Sequence, residues 1–250
     1  MADITTTMIM TSMIMRITRD ITMADPLSNA GLYRLTAWLS PSYPVGAFAY
    51  SHGIEWAVED GKIRDEATLA DWIAVVVRHG AGWSDAVLFS QTHACDGDAA
   101  ALAELNAFAV ALAPSSERHL ETTAQGTAFI KATRDAWPWA GVDDFSHACG
   151  AEIAYPVAVA AAAQGHGIAL EQALHAYLHG FAANLVSAGV RLIPLGQSAG
   201  QRVLAGLEGA ISETASQAMA AALDDVGGIA VLSDIAAMQH ETQYTRLFRS

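Results

Sequence analysis

The chain has 250 residues, of which 52% are hydrophobic and 16% are charged, so it is long and apolar enough for a substantial core. This balance excludes the disordered class, which combines low hydrophobicity with high charge. Its 26 acidic residues outnumber its 13 Lys and Arg, which gives a formal net charge of -13. Because Lys and Arg bind nucleic-acid phosphates, we expect no nucleic-acid partner, and the acidic charge instead favours basic partners or cations.

The first 26 residues differ from the rest of the chain. They contain six of the eight methionines, and Arg16, Arg19 and Asp20 interrupt their apolar run. No small-residue cleavage site follows, so a secretory signal is not expected. We interpret residues 1–26 as a disordered N-terminal extension, or as sequence upstream of a start at Met23. Two cysteines are too few for a disulfide framework, which favours a reducing, cytoplasmic location.

Helical periodicity dominates the remainder of the chain. Apolar residues recur at the three- and four-residue spacing of an amphipathic helix in 69–77 and again in 170–185. Gly61 suits the C-terminal end of a helix, and Asp65 suits the N-cap of the next one. No alternating β pattern lies between turn signals, and no low-complexity linker divides the body. The sequence therefore predicts one all-α domain, residues 27–250, with a bundle-like fold of roughly eight to ten helices.

Two long uncharged stretches, 153–170 and 172–190, approach the length of a membrane span. Polar residues interrupt both of them, including Gln164 and His166 in the first and Asn184 in the second. We therefore interpret both stretches as buried helices of the core and expect no membrane partner.

The sequence carries no catalytic motif. A P-loop needs a lysine directly after its glycines, and the two lysines of the chain, Lys62 and Lys131, lie outside any such frame. Neither a G-x-S-x-G nor an H-E-x-x-H pattern is present. Glu171, His175 and His179 share one helix face, where the two histidines are either candidate metal ligands or simply solvated. We expect no catalytic residue and no stably bound cofactor, with a helical metal-binding hydrolase as the alternative.

Residues 40–61, SPSYPVGAFAYSHGIEWAVEDG, combine a stiff turn with an aromatic helix. The prolines restrict φ, and the glycine after them permits dihedrals that other residues avoid. The aromatic side chains that follow either pack into the core as the start of a helix or form a rigid contact surface. The candidate partner-binding residues of this segment are Pro44, Gly46, Phe48, Tyr50, His52, Glu55 and Trp56.

Residues 240–250, HETQYTRLFRS, have the composition of an interface. No Lys or Arg lies between Arg202 and Arg246, whereas six acidic residues do. Two arginines then arrive with tyrosine and phenylalanine, types that are enriched in interface cores, whereas a frayed terminus is usually polar. We therefore predict a C-terminal docking tail of about residues 240–250, which binds either its own domain or a partner. Its candidate binding residues are Tyr244, Arg246, Leu247, Phe248 and Arg249.

These two segments and a third, AANLVSAGVRLIPLGQSAGQRVL at 182–204, resemble the urease accessory protein UreF family. The three motifs occur in the family's order and extend the resemblance over essentially residues 32–250. The resemblance implies an all-helical, cytoplasmic and usually dimeric protein that hydrolyses nothing itself. It also implies three partners: the accessory protein UreD (called UreH in some organisms), the GTPase UreG, and the urease apoprotein that receives nickel.

Roles for the candidate residues follow from the same resemblance. The tail would contact UreD, and the segment 44–56 would help to form partner surfaces. Arg191, Gln197 and Gln201 would lie at the dimer interface or face UreG. The chain would scaffold a UreD–UreF–UreG complex for GTP-dependent nickel insertion, with nickel handled by the complex, and would either regulate the UreG GTPase or only hold it. A helical scaffold unrelated to urease is the remaining alternative.

Overall fold

The computed structural model describes residues 27–250, and the regular elements within that range are all helical. Ten α-helices have ten or more residues, and two are shorter. In chain order they are α1 (Asn29–Trp38), α2 (Ile54–Glu59), α3 (Glu66–His79), α4 (Ala81–Ala94), α5 (Ala99–Ala111), α6 (Ser116–Ala136), α7 (Val142–Cys149), α8 (Tyr155–Gly165), α9 (Leu170–Leu192), α10 (Gln197–Gly206), α11 (Glu208–Ala220) and α12 (Val231–His240). The predicted all-α class is confirmed, while the predicted N-terminal extension, residues 1–26, lies outside the described residues.

Helix α8 forms the centre of the core. Every side chain from Pro156 to Ala163 is buried. Because most of these residues are alanines, their small side chains let α4 and α6 pack closely against α8. A Cβ on Gly126 of α6 would overlap the carbonyl group of Ile153, so only glycine permits the close approach of α6 at this point.

Helix α9 runs along the core and packs against α3, α4, α8, α10 and α11. Its inward face carries Leu174, Leu178 and Leu185, which are buried as the apolar spacing predicts. Across residues 27–250, neither this helix nor any other combines the length and apolar character needed to cross a membrane. Arg191 lies in the last turn of α9 and is therefore presented at the edge of the domain.

Helix α2 is short, and backbone hydrogen bonds define where it ends. Lys62 N donates to Ala57 O in a Schellman motif, with Gly61 in the left-handed conformation at φ 70°. Asp65 then forms a capping box at the start of α3. Both ends agree with the prediction from sequence. Because α2 packs against α9 and α12, its acidic residues lie beside the segment that follows α12.

Candidate partner-docking surface

The loop before α2 twice enters the left-handed region of the backbone. Gly46 takes φ 73°, and His52 and Gly53 follow with φ 62° and 78°. A Cβ on Gly53 would lie 2.6 Å from the backbone nitrogen of Ala237 in α12, so only glycine fits there. A non-glycine residue such as His52 costs about 1–2 kcal/mol in this region, so its contacts must hold it there.

His52 is buried against α6 and α9. Arg118 and Glu121 of α6 contact its Nδ1 atom, and its ring packs edge-on against Phe181. Burial and the Arg118 charge lower the pKa of His52, which keeps the imidazole neutral. Burial alone would raise the pKa of Glu121, but its contacts with Arg118 and His52 together outweigh this effect and lower that pKa to about 2. The loop is thus fixed to α6 because the neutral His52 ring contacts the buried Arg118–Glu121 ion pair.

The C-terminal tail packs against this loop. Arg249 N donates to Ala49 O at 2.8 Å, and Ser51 N donates to Ser250 O at 2.6 Å. The side chain of Phe248 is only 3% exposed. Of the two alternatives left open by the sequence, the structure shows that the tail docks onto its own domain, and its outer side, with Tyr244 and Leu247, is exposed.

Glu55 of α2 and Arg191 of α9 both contact the tail. Glu55 Oε1 accepts from Leu247 N at 2.6 Å, and Oε2 accepts from Phe248 N at 2.9 Å. The Arg191 guanidinium lies 4.2 Å from the ring centroid of Phe248 and also donates to Phe48 O at 2.7 Å. The loop, the end of α9 and the tail therefore form one continuous surface. We call residues 44–49, 191 and 244–249 the docking surface.

A cleft of about 320 Å³ lies beside the docking surface, lined in part by the loop, α6 and α9. Two of its lining residues form a hydrogen bond, in which Tyr177 Oη donates to Asp85 Oδ2 at 2.7 Å. Burial raises the pKa of Asp85 to about 6. The Nε2 atom of His52, which also lines the cleft, has no hydrogen-bond partner among residues 27–250. Apolar side chains, including Trp38 and Phe181, form much of the remaining lining, so the cleft is largely apolar with a few polar groups.

The candidate metal ligands His175 and His179 lie on α9, as their spacing predicts. The Nδ1 atom of His175 lies 2.8 Å from the Glu171 carbonyl oxygen of its own helix, and His179 lines the cleft. In the described part of the chain, no three His, Cys, Asp or Glu side chains are placed to hold one metal ion.

The structure divides the candidate binding residues by burial. Tyr50, His52, Glu55 and Phe248 are buried and hold the surface together in this conformation, and their contact with a partner stays a prediction. Gly46 and Trp56 are half-buried. Gln197 and Gln201 lie on α10, outside the docking surface as defined. The exposed candidates are Pro44, Phe48, Arg191, Gln197, Gln201, Tyr244, Arg246, Leu247 and Arg249.

Sequence reasoning missed the buried ionic cluster beneath the tail. Glu117, Arg118 and Glu121 of α6 are buried, and fully buried His240 lies between Glu117 and Glu55. The available signal was the pair of acids at i and i+4 in α6, but a solvated helix face gives the same spacing. The pairing partners come from distant parts of the chain, so the sequence alone could not distinguish the two.

The exposed apolar face of α12 was also missed. Val231, Leu232, Ile235 and Met238 are each about half exposed. Three of them follow the i, i+4, i+7 spacing of one helix face, which is equally typical of a face that packs into the core. A contiguous exposed apolar face on a folded domain is characteristic of a protein–protein contact.

Comparison with known proteins identifies the family. The UreF family profile matches residues 63–208. The urease accessory protein UreF of Rhodopseudomonas palustris strain HaA2 is 51% identical over 232 residues, which cover 91% of this chain and 98% of that protein. Proteins of the same name from strain BisA53 and from Bradyrhizobium diazoefficiens are 51% and 50% identical over 223 residues, covering 88% of this chain and 94% and 92% of theirs. The chain therefore belongs to the UreF family.

Proposed function

We propose that this chain is a non-catalytic adaptor in urease maturation, which scaffolds a UreD–UreF–UreG complex for GTP-dependent nickel insertion into the urease apoprotein. The name of its relatives supports the urease role. One observation supports the adaptor role above all: Tyr244 is 102% and Leu247 65% exposed, beside the buried anchor Phe248. Large apolar side chains held in water on a fixed segment are typical of a surface that a partner covers.

The tail and α12 form the surface that we assign to UreD. The exposed apolar face of α12 leads along the chain into the tail, so both present apolar side chains to solvent. On α12 and the tail, the acids Asp234 and Glu241 are followed by the arginines Arg246 and Arg249. A fitting partner therefore offers an apolar groove whose rim carries charges of both signs, since complementary charge favours association and register.

We assign Arg191, Gln197 and Gln201 to contact with UreG or with a second copy of this chain. Arg191 is the part of this set that belongs to the docking surface, and the two glutamines are exposed on the helix that follows it. The net charge of -13 would attract basic partners. We further propose that the chain acts as a cytoplasmic homodimer. In the complex it would activate the UreG GTPase or control when UreG hydrolyses GTP, and the complex would handle nickel.

The arrangement of the buried acids supports a role without catalysis by this chain. Glu55 binds two backbone amides of the tail, and Glu117 and Glu121 pair with arginines. Glu121 also lines the cleft, but its carboxylate is paired with Arg118, whereas a catalytic carboxylate is directed at a substrate. These three glutamates hold the tail and loop in place, which is what an adaptor surface requires.

Co-purification with UreD tests the assignment of the tail. We expect the Tyr244→Ala/Leu247→Ala double variant to remain folded, because both side chains are exposed, and to lose UreD binding by about 100-fold, because truncating two interface anchors costs about 3 kcal/mol. The matched control is Leu32→Ala/Tyr33→Ala on α1, which also removes an exposed leucine and an exposed tyrosine. Equal binding by the two double variants would show that the tail is not the UreD contact.

The role in nickel delivery has its own test in the native host. Deleting the gene should leave the urease subunits expressed and assembled, but poor in nickel and inactive. Urease nickel content, measured by mass spectrometry of the purified enzyme, is the readout. Full nickel loading without this chain would refute the maturation role.

A further inference from the structure

His240, the last residue of α12, is completely buried, and both of its ring nitrogens face carboxylates. Its Nδ1 atom lies 2.6 Å from Glu117 Oε2, and its Nε2 atom lies 3.1 Å from Glu55 Oε2. A neutral imidazole has one N–H donor and one acceptor nitrogen, so it cannot donate to both carboxylates. One of the two contacts therefore requires an additional proton.

The other hydrogen bonds of the two glutamates place that proton on the imidazole. Both oxygens of Glu55 already accept backbone amides of the tail. Glu117 Oε1 accepts from Arg246 Nη1 at 2.8 Å. Two backbone amides on Glu55 and the Arg246 guanidinium on Glu117 are both arrangements that favour a charged carboxylate. With both glutamates as carboxylates, the geometry fits a ring at His240 that donates from both nitrogens.

The charge of the cluster leads to the same assignment. Three carboxylates face only two guanidinium groups, so one positive charge is missing unless His240 supplies it, and an uncompensated buried charge is strongly unfavourable. The neighbouring titratable groups do not supply it: burial and the adjacent Arg118 lower the pKa of His52, and the nearby acids Asp85 and Asp234 can add only negative charge. The charged members are Glu55, Glu117, Glu121, Arg118 and Arg246.

We propose that His240 is a positioning residue of the docking surface, which as a buried imidazolium holds Glu55 in place to bind the tail amides. Without its charge, the carboxylates of Glu55 and Glu117 would repel one another and turn toward water. The tail would then lose both of its backbone acceptors on α2. This role rests on the proposed function of the tail and names the residue that keeps Tyr244 and Leu247 facing a partner.

Hydrogen exchange of the tail amides in the full chain tests this role through charge compensation. His240→Gln leaves the cluster one charge too negative, and Glu117→Gln leaves it one charge too positive. We expect the Leu247 and Phe248 amides to exchange about 10-fold faster or more in each single variant, because an unpaired buried charge is destabilising. In the double variant the charges balance again, so exchange should return to within about three-fold of the wild-type rate.

A steric role for His240 gives a different result in the double variant. The tail amides would then exchange as fast as in the worse single variant, or faster, and that result would overturn the proposal. Unchanged exchange in His240→Gln would overturn it as well. If His240→Gln does not fold, the double variant decides, because a folded, protected double variant supports charge compensation and an unfolded one contradicts it.

The control variant is His147→Gln, at an exposed position on α7, which should leave exchange of the tail unchanged. Exchange is measured on this chain alone, whereas UreD binding is measured by co-purification. If the tail amides lose protection in both single variants but the wild-type chain does not bind UreD, the role of His240 is supported and only the proposed partner is refuted. Wild-type binding with no effect of His240→Gln on exchange would do the reverse.

Discussion

Replacing Phe248 with alanine tests whether the tail is an anchored element of the domain. Truncating a buried phenylalanine costs about 3–5 kcal/mol in a core, and the lost contact with the Arg191 guanidinium adds about 1 kcal/mol. The tail can detach while the helices stay folded, so the loss cannot exceed the free energy of tail docking. We therefore expect Phe248→Ala to lower the free energy of unfolding by about 2–3 kcal/mol.

Urea unfolding and hydrogen exchange together measure this effect. In Phe248→Ala, the amides of residues 247–249 and of Ser51 should exchange like those of an unstructured peptide, while the amides of α8 remain protected. Leu247→Ala is the matched control one residue away, because that side chain is largely exposed. It should change the free energy of unfolding by less than about 0.5 kcal/mol.

Two outcomes would refute the reasoning about the tail. Equal loss of stability in Phe248→Ala and Leu247→Ala would mean that Phe248 is not the buried anchor. Unchanged exchange of the tail amides in Phe248→Ala would mean that other contacts hold the tail. Both variants should weaken UreD binding, Leu247→Ala by removing a contact and Phe248→Ala by releasing the segment that presents it.

Three further predictions concern the loop and the buried acids. Gly53→Ala should lower the free energy of unfolding by about 2 kcal/mol or more, because the alanine would be strained at a positive φ and its Cβ would clash with Ala237. Thermal unfolding measures this loss. The raised pKa of Asp85, about 6, means that the folded state retains a proton longer than the unfolded state, so stability should fall by about 2 kcal/mol as pH rises from 4 through 6. Asp85→Asn should abolish that fall in urea titrations, and a persistent fall would contradict the assignment. For Glu121 the sign is opposite: its pKa of about 2 contributes stability above pH 4.5 that is lost on acidification, and Glu121→Gln should lower stability at pH 7 by about 3 kcal/mol by leaving Arg118 unpaired.

Local rules were sufficient to predict the helical class and several helix ends. The apolar stripe of α9 and the caps at Gly61 and Asp65 depend on residues within one or two turns, so the sequence shows them directly. The positions of the two lysines were likewise enough to argue against a P-loop nucleotide enzyme, because neither lies in a P-loop frame. The interface composition of the tail was also visible, because it depends only on residue types.

Tertiary structure alone decided which side chains of these segments face inward. Phe248 and Tyr244 lie four residues apart in the same apolar tail, yet one is buried and the other is fully exposed. The difference arises because Glu55, more than 190 residues earlier in the chain, binds the Leu247 and Phe248 amides and so sets the path of the tail. The charged partners of His240, Glu55 and Glu117, lie 185 and 123 residues earlier in the chain. Burial and charge pairing depend on neighbours from other segments, and no local pattern records which segments will meet.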